Sequence, residues 1–234
     1  MKFSSCLVEA KLVRRYKRFL ADVILRDGTQ KTVYCPNPGS MLGLIEEGSK
    51  IWLQKTENPK AKLSLVWKLV EFEDGIFVCI DTQIANKLVF EALSLHKIPG
   101  LENHKEIIPE PKIENGSRLD FLIKFKDKKP CFLEVKSITL SRNYGIAEFP
   151  DSITSRGAKH LRLLAQLKSN GFRSIQLYVI QRTDAQYFQI AKDIDPHYYK
   201  NFEYAKKIGV EIMAFTSEIT KKEIQLGLSR TLFK

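Results

Sequence analysis

The stretch SRLDFLIKFKDKKPCFLEVKS, residues 117–137, decides the reading of this chain. Two apolar runs flank a charged turn at Lys126–Pro130, which predicts two antiparallel strands. Side chains alternate faces along a strand, so Glu134 and Lys136 project to one side and Leu133 and Val135 to the other. On the preceding strand Asp120 shares a face with Arg118 and Leu122, and antiparallel pairing brings it beside Glu134 and Lys136. Two carboxylates that close repel each other unless a positive charge lies between them. A hard divalent cation with oxygen ligands, Mg2+ or Mn2+, is the natural neutraliser. Such an ion polarises a phosphodiester and acidifies a bound water, while the lysine orients or deprotonates that water or stabilises the developing charge. The spacing alone is weak. An Glu-x-Lys triplet also occurs at Glu9–Lys11 and at Glu110–Lys112, the first without an upstream acid and the second interrupted by Pro111. Geometry leaves two readings open here: a phosphodiester site, or an exposed ion pair across a hairpin.

Upstream of this stretch the chain reads as short strands. VEAKLV, FLADVIL, KTVYCP, KIWLQKT, KLSLVWKLVEF and IFVCID are rich in β-branched and aromatic residues, with turns at Asp27-Gly28 and Asp74-Gly75. Met41–Glu47 reads as a short helix before Gly48. That many strands in so short a span predict a small OB-like barrel over residues 1–82. A helix follows from Thr82 to Leu93, with Thr82 as its N-cap. A longer helix is capped by Asp151 or Ser152 and carries Ala158, Leu161, Leu164, Ala165 and Leu167 as its apolar stripe. A buried strand at Ser174–Gln181, a helix at Tyr198–Ile208 and a strand at Val210–Phe215 complete the pattern. Strands alternating with helices predict a mixed α/β domain over residues 83–234. The fold class is thus α+β, in two domains.

The 234 residues carry a net charge of +11, with +3 on residues 1–82 and +8 on the remainder. Such an excess attracts polyanions, nucleic acid first and anionic membrane surface second. Lys11, Arg14, Arg15, Lys17 and Arg18 place five cations within eight residues, interleaved with Tyr16 and Phe19. On a barrel face that pattern tracks a phosphate backbone and stacks a base; on a bare strand edge it only protects the edge by charge. Arg142, Arg156, Lys159, His160 and Arg162 offer further cations beside the acidic cluster. The four cysteines are widely spaced, which predicts buried reduced thiols in a cytoplasmic protein rather than a zinc cage. No apolar run is long enough to span a bilayer, and the N-terminus has no signal-peptide core.

Seven ordered blocks, NPGSMLGL, NKLVFEAL, SRLDFLI, CFLEVKSITL, EFPDSITSRGAKHLRLL, VIQRTD and DIDPHYYKNFEYAKKIGVEI, closely resemble the sugar fermentation stimulation protein family, SfsA. The resemblance implies an OB-like barrel followed by a PD-(D/E)xK nuclease-fold domain. It also implies DNA binding without marked sequence preference and a link to regulation of sugar, notably maltose, catabolism. Through it Asp120, Glu134 and Lys136 match the motif core, with Asp120 and Glu134 as metal ligands. Glu91 corresponds to the helix acid and a third ligand, and Gln181 to a strand-end polar residue of the site. Phe90 departs from the family pattern, in which an acid precedes the helix acid. Two functions stand side by side. One is a Mg2+- or Mn2+-dependent nuclease acting on DNA, double- or single-stranded, or on RNA. The other is a non-catalytic DNA-binding regulator that keeps the nuclease fold. Binding to a membrane surface is a third, weaker reading.

Overall fold

The computed structural model describes residues 1–113 and 116–229. Six strands come first: β1 (Val8–Tyr16), β2 (Leu20–Leu25), β3 (Gln30–Tyr34), β4 (Lys50–Lys55), β5 (Leu65–Glu71) and β6 (Phe77–Cys79). Their sheet runs β3-β2-β1-β4-β5-β6, and pairing of Tyr34 with Val66 brings β3 back to β5. The first five strands therefore close into the OB barrel that their alternating sequences predict. Inward-facing Leu12, Val23, Val33, Ile51, Leu53 and Trp67 fill it. Each such side chain stabilises the fold by roughly 1.5–3 kcal/mol through burial.

Helix α1 (Thr82–Ser94) leads into the second unit, with β7 (His104–Pro109), β8 (Phe121–Phe125), β9 (Cys131–Ile138), β10 (Leu140–Asn143) and β11 (Ile146–Phe149) after it. Then come α2 (Ser155–Ser169), β12 (Arg173–Ile180), β13 (Tyr187–Ile190), α3 (Pro196–Ile208), β14 (Glu211–Ile219) and β15 (Ile224–Ser229). The main sheet runs β15-β14-β12-β9-β8-β7, with β9, β12 and β14 mutually parallel. Helices cover both faces, and β12 is accordingly buried along nearly its whole length. On one face α1 packs Leu88, Val89 and Leu93 against Leu133, Leu177 and Val179. On the other, α2 and α3 pack Leu161, Leu164 and Phe202 against Ile138, Tyr178 and Ile180. A three-stranded sheet, β10-β11-β13, flanks the main one.

The strand β6 joins the two units. Cys79 N donates to Gln181 O at 2.9 Å and Thr183 N to Phe77 O at 3.0 Å. At the N-terminus, Phe3 N donates to Lys222 O at 3.1 Å, so the first residues lie with the second unit's sheet.

Several local expectations change. Met41–Glu47 forms turns and no helix, because Met41 (φ 55°) and Gly43 (φ 77°) take left-handed conformations while Met41 is buried in the barrel. The cap of α1 is Asp81, whose carboxylate accepts from Gln83 N, and Thr82 is already helical. The cap of α2 is Thr154, accepting from Gly157 N, which frees Asp151 for another contact. Of the four thiols, Cys35, Cys79 and Cys131 are buried and Cys6 is exposed; all are free. Among the described residues no helix is long and apolar enough to cross a membrane.

Candidate active site

Strands β8 and β9 pair from Ile123↔Cys131 to Phe121↔Leu133, and there the ladder stops. Asp120 is the next residue, and its side chain continues what the strand leaves off. Asp120 Oδ2 accepts from Val135 N at 2.7 Å, and Oδ1 accepts from Asn86 Nδ2 of α1 at 2.7 Å. Glu134 lies across from it on β9, only 3% exposed. Its Oε1 accepts from Lys136 Nζ at 2.6 Å and from His160 Nδ1 of α2. Its Oε2 is buried without a hydrogen-bond partner. A buried carboxylate oxygen left bare is costly, by roughly 1–3 kcal/mol or more for a charged group, unless a ligand meets it.

The two carboxylates are electrostatically distinct. Burial, then the charge of Glu134, pushes Asp120 up to about 6, against the pull of Val135 N–H, Lys136 and Asn86. Burial also acts to raise Glu134, but Lys136 and His160 override it and hold the group below the ordinary carboxylate range. Glu134 is thus the more readily ionised of the two, and Asp120 holds a proton more readily than an ordinary aspartate.

Both groups open into a cleft of about 400 Å³. Asp120, Glu134 and Lys136 line it, together with the barrel segment Asn37–Gly39 and the segment Asp151–Arg156 before and into α2. Asp151 ties these two together: Ser40 Oγ donates to its backbone O at 2.7 Å and to its Oδ2 at 3.1 Å, and Met41 N donates to Oδ2 at 3.1 Å. The cleft is therefore built by both units of the fold.

Family models match in the same two pieces: "SfsA N-terminal OB domain" over residues 13–80 and "Sugar fermentation stimulation protein RE domain" over residues 83–223. The sugar fermentation stimulation protein homolog of Ruegeria pomeroyi is 46% identical over 227 residues, spanning 97% of this chain and 99% of that one. The chain belongs to the sugar fermentation stimulation protein family. The homolog of Jannaschia sp. is 47% identical over 227 residues, with 97% and 94% of the two chains covered. The SfsA of Pyrococcus furiosus, solved in complex with Ca2+, superposes with a TM-score of 0.89 at 25% identity, over 100% of this chain and 98% of that one.

The remaining candidates of this SfsA-family chain separate into those near the cleft and those away from it. Glu91 is away from it. Its Oε2 accepts from the Met1 ammonium at 3.0 Å, and it does not line the cleft. It lies five residues beyond Asn86, about 140° further round the helix, so α1 offers the cleft an amide and not an acid. Gln181 is buried behind the cleft, where its Nε2 donates to Ser137 Oγ at 3.2 Å and to Asp81 O at 3.3 Å. It fastens β12 to β9 and to the barrel exit. Arg156 lines the cleft and is exposed, and Lys159 is exposed less than a turn further along α2.

The basic run of β1 does not form one face. Arg14 pairs with Asp22 at 2.9 Å and lies over the Tyr16 ring. Arg15 braces the cleft, its Nη2 donating to Asn37 O at 2.7 Å and Gly39 O at 2.9 Å. Lys11 is exposed on the strand, and Lys17 and Arg18 are exposed at the hairpin tip in left-handed conformations. Two contributors escaped the sequence reading. Asn86 carries no motif. His160 stood there only as a nearby cation, although its place beside Leu161 and Leu164 on the buried face of α2 marks it as a polar group with a task inside.

Proposed function

We propose that this SfsA-family chain is a divalent-metal-dependent nuclease that binds DNA through phosphate contacts without reading its sequence, RNA carrying the same scissile ester. The observation that carries the reading is Glu134, a residue that lines the cleft beside Asp120 and whose Oε2 is a buried carboxylate oxygen with no hydrogen-bond partner. Among the described residues no three His, Cys, Asp or Glu side chains cluster as a metal cage. Two carboxylates with water completing the shell suit Mg2+ or Mn2+, which retain several waters when bound. A metal on Asp120 and Glu134 would polarise the phosphodiester and acidify a water. The Ca2+ in the Pyrococcus furiosus relative supports a hard-cation site in this family.

The protein's own groups then have separate tasks. Glu134 supplies the fixed negative charge. Lys136 and His160 hold its Oε1, and Oε2 is left without a protein partner. The Lys136 ammonium lines the cleft, where it stabilises charge growing on the phosphoryl oxygens. Asp120, clamped by Val135 N and Asn86, would supply the second carboxylate to the cation. In the overall step a water oxygen bonds to phosphorus, one P–O ester bond breaks, and the leaving oxygen takes a proton. Arg156 and the exposed cations of the barrel hold the flanking phosphates. Cytoplasmic placement and any part in regulating sugar, including maltose, catabolism are part of the same proposal and act through nucleic acid.

The test is cleavage of single- and double-stranded DNA and RNA with Mg2+ or Mn2+, wild type beside Glu134→Gln prepared identically. Cleavage by the wild type alone supports the reading; equal cleavage by both defeats it. One observation favours the second reading, a binding regulator. The helix acid Glu91 is turned away and Asn86 stands at the cleft, so of the three acids that the family pattern implies as ligands only Asp120 and Glu134 line it. That reading predicts no cleavage with any divalent ion, and binding that weakens steeply with salt.

A further inference from the structure

We infer that the cleft takes one unpaired nucleic-acid strand, and that Ile153 at its rim parts that strand from its complement. For the bond that is cut, the inference rests on the nuclease reading; for the form of nucleic acid that is bound, it stands by itself. Four observations lead to it.

The reactive groups are sunk. Glu134 is 3% exposed, and the cavity above it holds about 400 Å³, the scale of a small-molecule site and not of a duplex groove. The sides are cross-braced from independent elements. Asp151 accepts from Ser40 and Met41, Arg15 holds the carbonyls of Asn37 and Gly39, and Thr154 N donates to Asp195 Oδ2 at 2.8 Å. The contact is close enough that a Cβ on Gly39 would meet Asp151 Oδ2 at 2.7 Å. Widening the cleft to admit both strands breaks several of these bonds at once.

Ile153 lies between the two anchored residues Asp151 and Thr154, lines the cleft, and is 78% exposed. An apolar side chain at the mouth of a cleft that also carries Lys136 and Arg156 has the form of the wedges with which proteins unstack base steps. The barrel then offers a continuation suited to unpaired bases. Arg15 also donates to Arg18 O at the β1–β2 tip, and beyond Arg18 the rings of Phe19 and Tyr34 stack at 6.2 Å, 42% and 36% exposed. Exposed aromatic faces beside Lys17 and Arg18 match the stacking platforms of single-strand binders.

The experiment uses three oligonucleotides: a single strand, a forked duplex and a closed hairpin duplex with no free end. Each carries 2-aminopurine at the probed position. Fluorescence is followed on binding without metal, and cleavage is followed with Mn2+. The inference predicts cleavage of the single strand and the fork, at least tenfold slower cleavage inside the closed duplex, and brightening of the fork's 2-aminopurine on binding. Ile153→Ser lowers the ratio of fork to single-strand cleavage about tenfold. Closed-duplex cleavage as fast as single-strand cleavage overturns the inference and leaves the nuclease reading intact. If no substrate is cut, the nuclease reading fails and binding decides. Brightening in wild type that is lost in Ile153→Ser upholds the strand-parting role; equal or absent brightening in both proteins overturns it.

Discussion

Asp120 sits between two donors, Val135 N–H and the Asn86 amide, and one anion, Glu134. Its carboxyl is pushed up to about 6, above the ordinary 3.8, so the folded protein holds that proton more tightly than the unfolded chain. Below about pH 4 both states are protonated and the group is neutral in its effect. Between about pH 4 and 6 the unfolded chain loses this proton while the folded state keeps it, so stability falls by up to about 3 kcal/mol and stays lowered above pH 6. Asp120→Asn keeps an acceptor for Val135 N–H, and the Asn86 amide can turn to match. In metal-free protein it should therefore raise Tm at pH 8, with the gain vanishing by pH 4. A variant that melts at or below the wild-type temperature at pH 8 would contradict this account. His160 acts through Glu134, as a neighbour that orients a ligand. His160→Ala should weaken Mn2+ binding about 10- to 100-fold in calorimetry, and His160→Gln, which retains a donor, should recover much of it. Unchanged affinity in His160→Ala would remove His160 from the site. The meeting of Asp120, Glu134 and Lys136 in one cleft was legible from strand alternation and a turn of the right length. The turning away of Glu91 was not, because a one-residue motif match says nothing about which side of α1 faces the sheet.

At the scale of elements, the basic run of β1 divides by task. Arg15 is a brace with carbonyl partners, whereas Lys17 and Arg18 are exposed at the tip. Arg15→Ala should lower stability by about 1–3 kcal/mol through the carbonyls it leaves unpaired, read by urea denaturation. Lys17→Ala with Arg18→Ala should leave stability nearly unchanged and reduce the salt slope of single-strand binding by about 1.4, two phosphate contacts at about 0.7 each. If Arg15→Ala changes the salt slope and the double variant does not, the division is reversed. Five cations in a row advertised a binding face in the sequence; strand alternation and the reach of arginine sent them to different neighbours. The barrel strands were legible because each carries a β-branched or aromatic alternation. Strands β7, β10, β11, β13 and β15 were not, the reading having ended on the strand at Val210–Phe215. β7 is an edge strand ending in Pro109, and β10, β11 and β13 are four residues each, too short to show a period.

Across the whole molecule the barrel and the α/β unit are fastened in three places: β6 to residues 181–183, Asp151 to Ser40 and Met41, and the first residues to the segment around Lys222. We place the domain boundary between residues 82 and 83, yet these ties predict one cooperative unfolding transition. Gln181→Ala removes a buried amide from the junction and should cost about 1–3 kcal/mol without altering metal affinity. A normal Tm with lost metal binding would return Gln181 to the site. The overall plan, a barrel followed by an α/β unit, follows from the change of period near Thr82. The shared cleft does not, because Pro38–Met41 and Asp151 are far apart in the chain and only the folded arrangement joins them. The central claim is that the bare oxygen of Glu134, with the Asp120 carboxyl beside it, awaits a cation. Calorimetric titration of metal-free protein with Mn2+, wild type against Glu134→Gln, tests it most directly. The account predicts saturable binding by the wild type that is lost in the variant while Tm is maintained. Equal Mn2+ uptake by both proteins, or none by the wild type, would contradict it.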